Sequence, residues 1–149
     1  MDERRRYARG LAVRREVLGD AYVDRALAAR TAFDAEMQDL ITRHAWGEIW
    51  TRPGLPRRTR SLITIAAMVA LNRPEELRLH LRAALRNGVT PAEIKEVLLQ
   101  MAVYCGLPAA NSAFHLASEV LGQEKRARQG APAARDRSRR QRSKRPASA

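Results

Sequence analysis

Apolar residues recur along this chain at helical spacing, and no stretch alternates with the period of two that a half-buried strand requires. From Leu62 to Leu71 the run LITIAAMVAL has Thr64 as its one polar residue, which predicts a buried central helix. At about ten residues it is half the roughly twenty needed to cross a bilayer, so a membrane-spanning role is excluded for it. Asn72, Arg73 and Pro74 break the pattern, because proline suits a first helical turn and disrupts a helix interior. The helix that follows carries an apolar stripe of Leu77, Leu81, Ala84 and Leu85, with Arg78, Arg82 and Arg86 opposite and Gly88 as a left-handed stop. Glu76, His80 and Asn87 fall in one line along the margin of that stripe.

The flanking segments read as shorter helices. Residues 4–18 place Tyr7, Leu11 and Leu18 on one side, weakened at Gly10 by up to about 1 kcal/mol relative to alanine. Gly19 and Asp20 form a stop and a new N-cap, and Tyr22, Val23, Ala26 and Leu27 face inward. Thr31 caps a third helix, with Asp34 three residues on and Phe33, Met37, Leu40, Ile41 and His44 on its apolar side. The segment HAWGEIWTRPGLPRRTR, with Trp46 and Trp50, is a loop by its glycines and prolines. Thr90-Pro91-Ala92-Glu93 has the form of a capping box. Ile94, Val97, Leu98, Met101 and Cys105 then face the core, while Glu93, Glu96 and Gln100 make a polar edge. Gly106 ends that helix and Pro108 opens the last, where Ala109, Ala110, Ala113, Phe114, Ala117 and Leu121 suit close helix contact. The expected fold is all-α, with six or seven helices. So many short helices enclose only a modest core, and covering their alanine-rich faces and tryptophans calls for partner subunits.

Charge divides the chain. Of 28 Lys/Arg and 16 Asp/Glu, residues 123–149 hold ten and two, so the tail carries +8 of the net +12 and residues 1–122 only +4. The expected organisation is a helical domain over 1–122 and a basic, disordered C-terminal tail over 123–149. That tail has no aromatic residue to stack on bases and no large apolar residue to fold around. Non-specific nucleic-acid contact through its arginines is expected as a side property rather than as the function. Cys105 is the single cysteine, so no internal disulfide can form and a reducing cytoplasm fits. The N-terminal MDERRRYARG has no apolar secretion core, and the protein is expected to stay in the cytoplasm.

Taken together, VLGDAYVDRAL, AWGEIWTRPGLPRRTRSLITIAAMVALNR, EELRLHLRAALRNGVTPAEIKEVLLQMAVYCGLPAAN and SAFHLASEVL resemble the carboxymuconolactone decarboxylase family over nearly all of residues 14–121. The resemblance implies an alkylhydroperoxidase D-like helical domain that assembles as a homo-oligomer, a trimer or a hexamer. Redox relatives of that type carry C-x-x-C-x-x-x-H between the central helices. The corresponding residues here run from Arg73 to His80, so the histidine is kept and both cysteines are missing. A dithiol peroxidase cannot run without two thiols, which disfavours an alkylhydroperoxidase-like redox protein.

The family's activity, on this resemblance, is loss of CO2 from a dicarboxylate lactone, 4-carboxymuconolactone, to give 3-oxoadipate enol-lactone in protocatechuate breakdown, the β-ketoadipate pathway. The departing carboxylate is conjugated through the ring double bond to the lactone carbonyl, so the substrate carries its own electron sink and no cofactor is expected, nor any metal. The protein must hold two carboxylates, stabilise the developing oxyanion and deliver one proton. The resemblance gives His80 the acid/base role, with Glu76 orienting it one turn away; the pattern alone accommodates a satisfied core histidine beside a solvated glutamate. Arg57 and Arg60 can clamp carboxylates, and Tyr104 and Asn111, flanking Gly106, can donate to the oxyanion. Each also fits a structural role. Glu96 is a weaker acid/base candidate, Cys105 a packing residue, and Trp46 and Trp50 are core or subunit contacts.

Overall fold

The computed structural model describes the backbone of residues 2–142 and the side chains of residues 2–130. Among the described residues there is no strand; the chain forms α1 (Glu3–Leu18), α2 (Asp20–Ala28), α3 (Ala35–Leu40), a π-helical segment (Ile41–Ile49), α4 (Arg57–Ala70), α5 (Pro74–Arg86), α6 (Pro91–Cys105) and α7 (Leu107–Arg142). The punctuation follows the chemistry of its residues. Gly19, Gly88 and Gly106 all adopt positive φ at helix ends, and the Thr90–Glu93 capping box is complete, with Glu93 N–H donating to Thr90 Oγ1 at 3.2 Å and Thr90 N–H to Glu93 Oε2 at 2.9 Å.

Two apolar clusters make the core. One joins Ile65 and Val69 of α4, Leu77, Leu81 and Ala84 of α5, Ile94 and Leu98 of α6, and the alanine-spaced face of α7. The other joins Val13, Val17 and Leu18 of α1 to Val23, Trp46 and Ala83. Helix α5 enters both, through Leu81 and Ala84 on one side and Ala83, with Leu79, on the other. It is therefore α5, not the apolar α4, that sits at the centre. α4 is buried only along Ser61, Ile65 and Val69, and Ile63 is 53% exposed, because α5, α6 and α7 cover one side and leave the other bare.

Four further expectations are corrected. The segment after His44 is helical through Ile49: its carbonyls bond five residues on, and Trp46 is buried against α1 rather than carried on a loop. The buried face of α1 is Gly10, Val13, Arg14, Val17 and Leu18; Leu18 is buried as expected, Leu11 only packs at the cluster's edge, and Tyr7 is half-buried. A Cβ at Gly10 would fall inside the van der Waals shell of the Thr42 carbonyl oxygen, and one at Gly47 would strike the Arg6 carbonyl, so the two glycines set how closely α1 and the π-helix approach. Asp20 is the first residue of α2 and binds Arg15 at 3.2 Å; Gly19 is the N-cap. Thr31 does not cap α3. Its N–H and Oγ–H donate to Asp34 Oδ1 at 2.7 and 3.0 Å, closing a turn ahead of the helix, and Phe33 points outward at 98% exposure.

Arg14 is 4% exposed and, among the described residues, its guanidinium meets neutral acceptors, Thr42 Oγ1 at 3.3 Å and Gln38 Oε1 at 3.2 Å, which tie α1 to α3 and the start of the π-helix. The arginine stripe of α5 is not left to solvent. Arg78 reaches Glu119 at 2.7 Å and Arg82 reaches Gln123 at 2.7 Å, riveting α5 to α7. Helix α7 continues past the change of charge at 122/123 to Arg142, into the stretch that composition reads as a basic tail. Residues 143–149 of the expected tail lie outside the described residues.

Candidate active site

The N-terminal turn of α5 sets the first group. Pro74 occupies the opening position and Glu75 and Glu76 the first turn, where the helix dipole favours carboxylates. Glu76 is exposed; His80, one turn on, is half-buried, and its Nδ1 is sequestered with no hydrogen-bond partner. Burial pushes the imidazole below its ordinary 6.5, and the Glu76 carboxylate works the other way. No hydrogen bond joins the two side chains among the described residues, so Glu76 acts on His80 through its field. Asn87, in line with them, is committed elsewhere: its Nδ2 donates to buried Ser61 Oγ at 2.9 Å, pinning α5 to the first turns of α4.

Arg57 and Arg60 share one turn at the start of α4. Arg57 is ion-paired with Glu16 of α1. Arg60 Nη2 donates to the Arg52 carbonyl at 3.1 Å, and its Nε is buried without a partner. Between α1 and residues 50–57 lies a cleft of about 350 Å³, lined by Arg9, Trp50, Arg52 and Arg57 with Val13 behind. A second depression shares Arg9, Thr51 and Arg52 with it. Arg9 and Arg52 carry no helical or motif signal in the sequence, since they meet only when α1 packs beside the 50–57 turn. A larger cleft of about 800 Å³ separates α2, α5 and α7, with Tyr22, Arg25, Glu76, Arg82 and Arg86 on its walls.

Tyr104 and Asn111 flank the Gly106 turn, and both face solvent, Tyr104 at 77% beside exposed Val103 and Leu107. They do not meet the arginines within one chain. Arg58 pairs with Glu93, which holds the starts of α4 and α6 together; at 1.5 Å per residue, Tyr104 stands about 16 Å further along α6. Glu96 lies on the exposed edge of α6 with Glu93 and Gln100, away from α5. Cys105 is a free, half-buried thiol. Trp46 and Trp50 stack at 5.1 Å between centroids, Trp46 in the core and Trp50 on the cleft wall. His44 pairs with Glu48 at 3.2 Å on the surface.

A histidine on α5 with a carboxylate one turn before it is suited to acid–base work. The model of the carboxymuconolactone decarboxylase family matches residues 35–119, more than half of the chain. The chain belongs to this family. Across 121 residues it is 54% identical to the 4-carboxymuconolactone decarboxylase of Acinetobacter baylyi, covering 81% of this chain and 90% of that one. It is also 44% identical over 118 residues to the nitrosuccinic acid decarboxylase npaB of Metarhizium robertsii, covering 79% and 82%. A 48-residue sequence named 4-carboxymuconolactone decarboxylase from Pseudomonas putida matches along its whole length at 56%. Family membership brings the alkylhydroperoxidase D-like helical fold and a carboxy-lyase activity. No described helix is long and apolar enough to cross a membrane.

Proposed function

We infer that this enzyme decarboxylates 4-carboxymuconolactone to 3-oxoadipate enol-lactone without a cofactor, as a step of protocatechuate catabolism. The observation that carries this reading is 54% identity, spread over four fifths of the chain, to a relative bearing that name. In the proposed reaction the bond from ring carbon to carboxylate breaks and CO2 leaves. The electron pair moves through the ring double bond to the lactone carbonyl oxygen, and the resulting dienolate takes one proton on carbon. His80, whose buried Nδ1 has no hydrogen-bond partner among the described residues, supplies that proton, and Glu76 supports its charged form. Arg57 and Arg60 serve the substrate carboxylates. Tyr104 and Asn111 steady the oxyanion from a neighbouring copy of the chain in a trimer or hexamer, a reading supported by their exposure and their distance from the arginines within one copy.

Incubation with 4-carboxymuconolactone tests the reading directly: CO2 release with formation of the enol-lactone is expected, and an inert lactone overturns it. A second reading is favoured by the relative named nitrosuccinic acid decarboxylase. Nitrosuccinate and the lactone share a carbon that carries a departing carboxylate, a –CH2–COO⁻ arm and an electron sink, a nitro group in one and a vinylogous lactone in the other. The demands on the protein are the same for both. CO2 release from nitrosuccinate, measured beside the lactone, ranks the two.

A further inference from the structure

The turn at 50–57 gathers more positive charge than its own carboxylates balance. Arg57 has Glu16, and Arg6 has Glu3 at 2.9 Å. Arg9, Arg52 and Arg60 have no carboxylate partner among the described residues. Two of them instead shape the turn: Arg9 Nη2 donates to the Thr51 carbonyl at 3.3 Å, and Arg60 Nη2 to the Arg52 carbonyl at 3.1 Å. The result is a small-molecule-sized cleft with Arg9, Arg52 and Arg57 at its mouth and Trp50 and Val13 as an apolar wall. Val13 belongs to the cluster that Ala83, three residues beyond His80 on α5, also enters, and Trp50 packs against that cluster.

Decarboxylation decides which carboxylate such a cleft should hold. The departing carboxylate loses its charge as CO2 forms, so a guanidinium gripping it stabilises the ground state more than the transition state and slows the reaction. The carboxylate that stays is equally charged throughout. Holding it adds binding without opposing the chemistry.

We propose that Arg9 and Arg52, together with Arg57, form the subsite for the carboxylate the substrate retains, and that Arg60, besides its part in substrate binding, fixes the Arg52 backbone. The assignment rests on the decarboxylase reading, yet its anion-binding core can be measured apart from it with succinate as probe. Arg52→Gln and Arg9→Gln each raise KM for the lactone about ten- to hundred-fold, with kcat within about twofold, and weaken succinate binding by calorimetry to the same degree. Arg52→Lys, which keeps the charge and loses the fork, falls between. Arg25→Gln, in the α2–α5–α7 cleft, leaves both quantities unchanged. Unaltered KM and succinate affinity in variants that keep the wild-type circular dichroism overturn the subsite, as does a loss that follows Arg25 instead. A wild-type protein that binds succinate through Arg9 and Arg52 but releases no CO2 overturns the decarboxylase reading and the substrate assignment with it.

Discussion

His80 is a histidine whose surroundings disfavour its charged form, with one nearby carboxylate resisting that trend. If the imidazolium delivers the proton, turnover falls as pH rises through the His80 pKa. Glu76→Gln removes the influence that raises this pKa, so the alkaline limb of the kcat profile moves to lower pH. His80→Gln lowers kcat by about 10² to 10⁴, with a smaller change in KM, as expected for a lost proton donor. The same group leaves a mark on stability. Its folded pKa lies below the ordinary 6.5, so as pH falls through that value the unfolded chain takes up a proton the folded one does not, and stability declines. Denaturant titrations at pH 7.5 and 5.5 show a smaller difference in His80→Gln than in the wild type. The line of Glu76, His80 and Asn87 was legible in the sequence because helical spacing alone dictates it. That Asn87 is spent on Ser61, and that Arg57 and Arg60 are engaged by Glu16 and the Arg52 carbonyl, depends on partners some 26, 41 and 8 residues away, which no local pattern encodes.

Among the elements, α5 and α6 match the sequence closely, beginning at their prolines and capping box and ending by their glycines, whereas α4 begins at Arg57, inside the stretch read as a loop. The π-helix was not legible. Gly47 and the Pro53–Pro56 turn resemble loop chemistry, whereas in the fold Gly47 and Gly10 let two backbones touch. The wider turn of a π-helix carries Trp46 into the core. Gly10→Ala therefore destabilises the protein by about 1–3 kcal/mol, although alanine is the better helix former, because overpacking at this crossing outweighs propensity. A thermal melt of the variant checks the sign: a raised midpoint would mean that helix propensity dominates and the crossing is loose.

For the whole molecule, the apolar outer positions are the unresolved business of one chain. Phe33, Met37 and Leu40 lie exposed on one side, and Val103, Tyr104 and Leu107 on another. Sedimentation should give the mass of a trimer or hexamer, and Phe33→Glu or Val103→Glu should shift it toward the monomer; a monomeric wild type would remove the support for Tyr104 and Asn111. The basic extension belongs to the same scale. Gln123 and Glu124 hold Arg82, so α7 still meets α5 just past the point where the charge changes. Truncation after Gly130 leaves kcat unchanged while abolishing salt-sensitive binding to DNA.

Because α5 is shared by both apolar clusters, neither half of the protein can melt and leave the other intact. Backbone amides around His80 should exchange with solvent only through global opening, and activity, near-UV signal and helicity should vanish along one cooperative curve. An evolving lineage could then retune the rim of the site freely, but any change to α5 itself would be felt as a change in how much folded enzyme the cell retains.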